Sequence, residues 1–224
     1  MAEGTEVPQP LVEPKAQIGE YLSDAWDLLK ANFVLIVVGY LVAALIATVA
    51  CGGIILGGPL GFGFIRVIQK RLKGEEAQIG DIFQGFKDFG KGFVTMLLLF
   101  GCGVAVMIPV AILVFILSYI PILGALLSMG LYLVAAVILY AATMFMWPIA
   151  ALTDASPMDA LKQSFKFFQA NLVQMLLLTL VLALVGMAGV LACGVGAWVT
   201  FPLAIVAAIV AYNKFYLPNA ASVA

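Results

Sequence analysis

Three long stretches of the chain contain no charged residue, and they set the strongest limit on its fold. They run from 31 to 65, from 92 to 153 and from 167 to 213. A helix needs about 20 consecutive apolar residues to cross the hydrocarbon core of a bilayer. Each stretch is too long for one crossing, and each fits two helices joined by a tight turn. The sequence therefore predicts a membrane protein that crosses the bilayer several times.

The predicted fold class is all-α, with six transmembrane helices arranged as three hairpins. Composition agrees, because only 10% of the 224 residues are charged, whereas a soluble domain carries about 25%. The predicted spans are 33–51, 54–69, 93–117, 123–147, 171–192 and 195–213. Residues 1–16 are acidic and rich in proline, so we expect a disordered cytoplasmic tail. Residues 17–224 are expected to form a single six-helix transmembrane domain.

With these spans, every charged side chain falls on one side of the membrane. The basic residues are Lys15, Lys30, Arg66, Lys70, Arg71, Lys73, Lys87, Lys91, Lys162, Lys166 and Lys214. Lysine and arginine in short loops are retained in the cytoplasm, so this side is predicted to be cytoplasmic and to carry both termini. The other side is left with three short uncharged turns, near 51–53, 118–123 and 193–196.

An amphipathic segment precedes each predicted hairpin. Apolar residues recur at helical spacing in 16–32, in 80–93, where the apolar face is Ile82, Phe86, Phe89 and Phe93, and in 156–171. In the third segment, Ser156 is suited to cap a helix that begins at Pro157, with Asp159 completing a capping box. Such helices lie in the membrane interface with their apolar side among the acyl chains.

The glycine-rich stretch "CGGIILGGPLGFGF", residues 51–64, interrupts the first apolar run. Gly53, Gly57 and Gly61 are spaced by four, which places them on one helix face where a neighbouring backbone can approach closely. Pro59 is expected to kink that helix, because it has no N–H for the preceding turn. These residues predict a close-packing seam. The alternative is a broken helix that lines a substrate path, as in some transporters.

Four basic residues mark the end of the second predicted span. Arg66, Lys70 and Lys73 follow helical spacing, and Arg71 lies beside them in "RVIQKRLK". A cluster of this kind is able to hold the headgroups of anionic lipids. The alternative reading is that these residues only anchor the helix end on the cytoplasmic side.

Several chemistries lack the residues they need. The chain contains no histidine, the commonest general base and metal ligand near neutral pH, and no GxSxG or P-loop motif. Its cysteines, Cys51, Cys102 and Cys193, have neither CxxC spacing nor histidine partners. Cys51 and Cys193 are interpreted either as small packing residues or as a disulfide pair. We expect no enzyme activity, no cofactor and no metal, and a net charge of −1 gives no basis for nucleic-acid binding.

Three segments together resemble a broad group of bacterial integral membrane proteins of unknown function. They are "GGPLGFGFIRVIQKRLKGEEAQIGDIFQGFKDFGKGF", "DASPMDALKQSFKFFQAN" and "GVGAWVTFPLAIVAAIVAYNKFY". The resemblance covers about two-thirds of the chain. It implies a six-helix architecture in the bacterial inner (cytoplasmic) membrane, and it implies no activity.

Two functions fit these features. The first is a non-enzymatic scaffold or accessory subunit that contacts membrane lipids and other membrane protein subunits, favoured because no ionisable residue lies in a predicted span core. The second is a transporter or lipid-handling protein. It predicts a cavity lined by Pro59, Pro109, Pro202, Asn32, Asn171 and Thr200.

Overall fold

The computed structural model describes residues 14–49, 53–120, 122–191 and 196–220, and all regular structure in these ranges is helical. The α-helices are α1 (Pro14–Ala31), α2 (Gly39–Val49), α3 (Gly53–Leu72), α4 (Phe89–Leu117), α5 (Leu123–Thr143), α6 (Met146–Leu152), α7 (Pro157–Ala170), α8 (Leu172–Leu191), α9 (Ala197–Ala211) and the short α10 (Leu217–Asn219). A 3₁₀-helix, Ile79–Asp88, leads into α4. Two π-helical turns, Val34–Val38 and Tyr212–Tyr216, precede α2 and follow α9.

Among the described residues, four continuous helices are long and apolar enough to cross a membrane. They are Ile79–Leu117, Leu123–Leu152, Leu172–Leu191 and Ala197–Asn219. They contain or closely match the last four predicted spans. A fifth is reached if Ile18–Ala31 and Val34–Thr48, which meet at 91°, count as one bent span. The chain is therefore an all-helical protein with four or five candidate spans.

Helix α3 covers the second predicted span, yet it does not reach the apolarity of the other four. It is instead largely enclosed, with Leu60, Phe62, Val67 and Ile68 at most 2% exposed. It packs against α2, the 3₁₀-helix, α4, α6 and α9. A helix that faces protein on most sides needs close packing rather than the uniformly apolar surface that lipid demands. This explains its glycines and its lower hydropathy.

Backbone contact between glycines sets the position of α3. A Cβ added to Gly58 would lie 2.1 Å from the Gly92 carbonyl oxygen, and one added to Gly63 would lie 1.7 Å from the Ile82 oxygen. On the opposite side, a Cβ at Gly85 would lie 2.0 Å from the Pro59 oxygen. No side chain larger than hydrogen fits at these points. We call this contact, made by Gly58, Pro59, Gly63, Gly85 and Gly92, the glycine seam.

The glycines predicted to form a stripe have looser surroundings. A Cβ at Gly53 would meet nothing within 4 Å, and one at Gly57 would meet only the Met96 methyl group at 3.8 Å. At Gly61 it would lie 2.8 Å from the Trp147 ring. Pro59 belongs to the glycine seam, and it lies inside α3. The tightest contacts thus fall on α3 glycines other than the predicted three.

The predicted amphipathic segments are helical. In α1, Tyr21, Ala25 and Leu29 are buried in the core, on the face that the sequence pattern predicts. The described residues begin at Pro14, so residues 1–13 of the predicted tail lie outside them, while 14–16 already belong to α1. In α7, the Ser156 hydroxyl accepts a hydrogen bond from the Asp159 backbone N–H, and Pro157 is the first helical residue. The predicted cap at Ser156 is confirmed, but the Asp159 carboxylate accepts from the Ser156 hydroxyl and does not complete the predicted capping box.

The middle amphipathic segment differs from the other two, because it runs without a break into α4. Its 3₁₀ geometry has three residues per turn, so Phe83, Phe86 and Phe89 stack with ring centroids 6.3 Å apart. Phe93 extends the column. In the first and third segments an asparagine marks the junction instead. The side chains of Asn32 and Asn171 each donate to the carbonyl four residues earlier.

Helices α4 and α5 form a hairpin that projects from the core. Of the most apolar part of α4, only 6% is buried inside the protein, compared with 44% for α9. Helix α4 ends at Leu117 and α5 begins at Leu123, so the chain reverses at one of the predicted uncharged turns. Cys102 on α4 carries a free thiol, while Cys51 and Cys193 lie outside the described residues.

The glycine seam generates a paired test. Gly63→Ala forces a methyl group against the Ile82 carbonyl, and we expect overpacking to cost roughly 1–3 kcal/mol of stability. Gly57→Ala is the matched control on the same helix. It gains about 1 kcal/mol of helix propensity and meets only an ordinary methionine contact. Thermal unfolding of both purified variants in a mild detergent measures the difference, and equal midpoints would contradict the seam.

Candidate functional site

The C-terminal half of α3 carries the four predicted headgroup ligands, and the structure assigns three of them to partners within the protein. Arg66, Lys70 and Arg71 each hydrogen-bond other segments of the chain. Lys73 is exposed and has no side-chain partner among the described residues. We call the arrangement built by the first three, with their partners, the basic brace.

Arg66 is the centre of the basic brace. Its guanidinium donates to the Asp88 carboxylate at 2.5 Å and to the Ala151 carbonyl at 3.0 Å. Lys91, one turn after Asp88, donates to the Thr153 carbonyl at 2.7 Å. Both carbonyls lie at the end of α6, where helical carbonyls have no partner of their own and the helix dipole favours cations. The brace therefore joins α3, the start of α4 and the end of α6.

The next turn of α3 repeats this pattern toward other segments. Lys70 pairs with Asp81 at 3.2 Å, and the Asp81 carboxylate also accepts the Gln78 backbone N–H at the start of the 3₁₀-helix. Arg71 donates to the Asn32 side chain at 2.6 Å. Asn32 stands at the 91° bend after α1, so Arg71 holds that corner to α3.

Further polar contacts tie the chain's other charged segments to the same end of the bundle. Gln69 and Asn213 exchange two amide hydrogen bonds of 2.8 Å between α3 and the turn after α9. Lys214, the next residue, lies 2.5 Å from both Glu20 and Asp24 of α1. The charged residues of α1, α3, α4 and the C-terminal turn thus meet in one polar layer.

The polar layer changes the role expected for the basic cluster of α3. Arg66 and Lys70 lie opposite the carboxylates Asp88 and Asp81, so two of the cluster's four charges are neutralised within the protein. Arg71 bonds the uncharged Asn32 side chain instead. The sequence contains a signal for this, because acidic residues flank the cluster in the short link that follows it. The spacing along the chain does not show which pairs form. That depends on how the link folds back along α3.

An apolar cavity of about 290 Å³ lies above the polar layer, among α3, α4, α5, α6 and α9. Its walls include Gly61, Leu99, Tyr140, Trp147 and Ile205. The residues predicted to line a transport path do not contribute to it. They are Pro59, Pro109, Pro202, Asn32, Asn171 and Thr200.

Sequence reasoning missed Trp147 and Pro148, which shape this cavity. Pro148 has no N–H to donate to the Met144 carbonyl, and the helix is interrupted at 144–145, between α5 and α6. Both Met144 and Pro148 line the cavity. A proline at the end of a predicted span, next to a tryptophan, was the available signal.

The described residues hold no cluster of three or more histidine, cysteine, aspartate or glutamate side chains that suits a metal ion. The site combines a polar layer of paired charges with an apolar cavity above it. No family model, curated protein or solved structure matches the chain. The resemblance to bacterial membrane proteins therefore stays a prediction.

The basic brace predicts different effects for two cations of the same cluster. Arg66→Gln leaves Asp88 and the Ala151 carbonyl without their charged partner, and we expect a loss of roughly 1 kcal/mol or more in stability. Lys73→Gln, the matched control, is expected to change stability very little. Thermal unfolding in detergent measures both.

The same assignment predicts which cation holds anionic lipid. If anionic lipids co-purify, Lys73→Gln should lower their amount more than Lys70→Gln, because Lys70 is already paired with Asp81. The reverse order would contradict this assignment.

Proposed function

We propose that the protein is a non-enzymatic integral membrane scaffold or accessory subunit, which contacts membrane lipids and other membrane protein subunits. The observation that carries this proposal is the α4–α5 hairpin. Its apolar surface is left uncovered by the rest of the described chain. Several charged groups, by contrast, bond partners within the protein.

The shape of α4 favours contact with another helix. Gly101, Gly103 and Gly130 on the hairpin have nothing within 4 Å of an added Cβ, so the chain itself gives no packing reason for these small residues. Small residues let helices from different subunits approach closely in lipid. The 29 residues of α4 also extend about 44 Å, longer than the ~30 Å hydrocarbon core. Packing against neighbours sets the tilt of such a long helix.

The proposed topology has six spans, arranged as three hairpins. The π-helical turn with α2 forms the first span and α3 the second, and α3 needs less apolarity because protein encloses it. The polar layer lies at the cytoplasmic surface with both termini, following the rule for basic residues. The resemblance stated above supports a bacterial inner membrane as the location.

The rival function is a transporter or lipid-handling protein. The apolar cavity favours it, although that cavity is not lined by the predicted prolines. In the transport version, substrate would pass between hairpins, and a cavity without charged walls suits an apolar substrate only.

The six-span topology predicts which sites are open to the outside of intact cells. In a variant without native cysteines, Ser118→Cys in the α4–α5 turn should react with a membrane-impermeant maleimide. Lys73→Cys should react only after permeabilisation, because the topology places it inside. Labelling of Lys73→Cys in intact cells would contradict the proposed orientation.

The scaffold function predicts a partner at the hairpin surface. A photo-crosslinking amino acid at Leu113, 49% exposed on α4, should give one discrete protein adduct in native membranes. The same group at Leu184, exposed on α8, is the control and should give mainly lipid adducts.

A steric variant sharpens this test. Gly101→Leu should abolish the protein adduct at Leu113, because the larger side chain blocks the approach of a partner helix. Gly90→Leu is the control and should leave the adduct unchanged. Both glycines have open space around them within the described chain, so neither variant is expected to disturb the fold. If Leu113 gives only lipid adducts, the scaffold proposal is wrong and the rival gains support.

A further inference from the structure

We infer that the 290 Å³ cavity is a binding site for one acyl chain, with the carbonyl end of that chain held by Tyr140 and Trp147. This inference does not depend on a partner subunit, so it stands or fails separately from the scaffold proposal. The shared chemistry is a long alkyl chain ending in an ester or acid carbonyl. Its source is either a bilayer phospholipid or a free fatty acid.

The cavity opens toward the surface of the helix bundle. Tyr140 is 44% exposed, and Leu99, Ile205 and Ala208 on the other helices are half-exposed. In a membrane-spanning bundle, that surface faces lipid. An acyl chain therefore reaches the cavity sideways from the bilayer, without crossing the polar layer.

The walls favour an apolar occupant over water. An ordered water needs two to four polar partners, and cavities lined by aliphatic and aromatic groups stay dry. Here the walls are formed by Gly61, Phe64, Ile65, Leu99 and Ile205 together with Tyr140, Trp147 and a few neighbours. The Thr143 hydroxyl, also in the wall, is already bonded to the Leu139 carbonyl. The volume approaches the ~300 Å³ at which small-ligand sites begin.

Two hydrogen-bond donors in the wall have no partner within the described chain. They are the Tyr140 hydroxyl and the Trp147 indole N–H. In hydrocarbon, where no water competes, an unsatisfied polar group is costly even on a partly exposed side chain. A carbonyl oxygen has two lone pairs, so one oxygen is able to accept from two donors. The ester and acid carbonyls of lipids are acceptors of this kind that a bilayer supplies.

The position of Trp147 fits this role. Its six-membered ring packs onto α3, where a Cβ at Gly61 would lie 2.8 Å from Cζ3, and it meets Phe62 edge-to-face. The N–H lies on the opposite edge of the indole and so points away from α3. One turn further along, the Ala151 carbonyl binds Arg66 in the polar layer. The carbonyl end of the lipid is thus placed just above the charged layer, at the depth where tryptophan and tyrosine concentrate in membranes.

The test uses the full-length protein in liposomes and two probes with the same diazirine-bearing acyl chain, a phosphatidylglycerol and a free fatty acid. We expect light-dependent labelling of peptides that contain Leu99 or Ile205. Ala208→Phe, which fills the cavity, should lower this labelling at least tenfold. Ala105→Phe on the exposed face of α4 is the control and should leave it unchanged. The probe that labels more strongly identifies the source of the chain.

A second pair of variants removes only a hydroxyl group. Tyr140→Phe should lower cavity labelling about fivefold, the loss expected for one hydrogen bond. Tyr132→Phe, an equally exposed tyrosine on the same helix, should have no effect. The inference is overturned if a folded Ala208→Phe protein is labelled as strongly as the native one. It is equally overturned if Tyr140→Phe and Tyr132→Phe label alike, and this comparison decides the matter where Ala208→Phe fails to fold.

Discussion

The glycine seam is the contact on which the rest of the structure depends. Gly58 and Gly63 let the backbone of α3 touch the 3₁₀-helix and the start of α4 directly. Because those segments lie so close, Arg66 and Lys70 reach Asp88 and Asp81 with ordinary side-chain lengths. The same approach encloses α3, and that leaves α4 and α5 to face outward. Burial of one helix and exposure of another thus have a common cause.

The paired charges show how a membrane protein ends its helices without leaving polar groups unsatisfied. Free carbonyls at the end of α6 accept hydrogen bonds from Arg66 and Lys91. The side chains of Asn32 and Asn171 each donate to a carbonyl in the last turn of the helix that precedes them. Each contact is modest, since partly exposed ion pairs contribute roughly 0–1 kcal/mol. Together they lock several helix ends into one layer. The basic residues therefore serve the fold as well as the topology.

The interruption between α5 and α6 links the two surfaces proposed to bind ligands. Pro148 breaks the helix at the point where Trp147 turns toward α3, and the break leaves room for the cavity. Beyond the break, α5 continues outward into the exposed hairpin. A lipid chain in the cavity would fill space beside the base of that hairpin and support its orientation. Both sites are apolar, and both include residues of α5.

Local sequence pattern determined the helical class, the membrane character, the amphipathic face of α1 and the cap at Ser156, because each depends on residues within a turn or two of one another. Four of the predicted spans also follow from apolar length alone. Tertiary structure decided which glycines touch, which cations pair and where the cavity opens. Gly53, Gly57 and Gly61 have the better spacing, yet Gly58 and Gly63 make the close contacts, since the partner backbone approaches α3 from another side. Helical spacing determines which residues share a face, but only tertiary packing determines which face contacts a neighbouring helix.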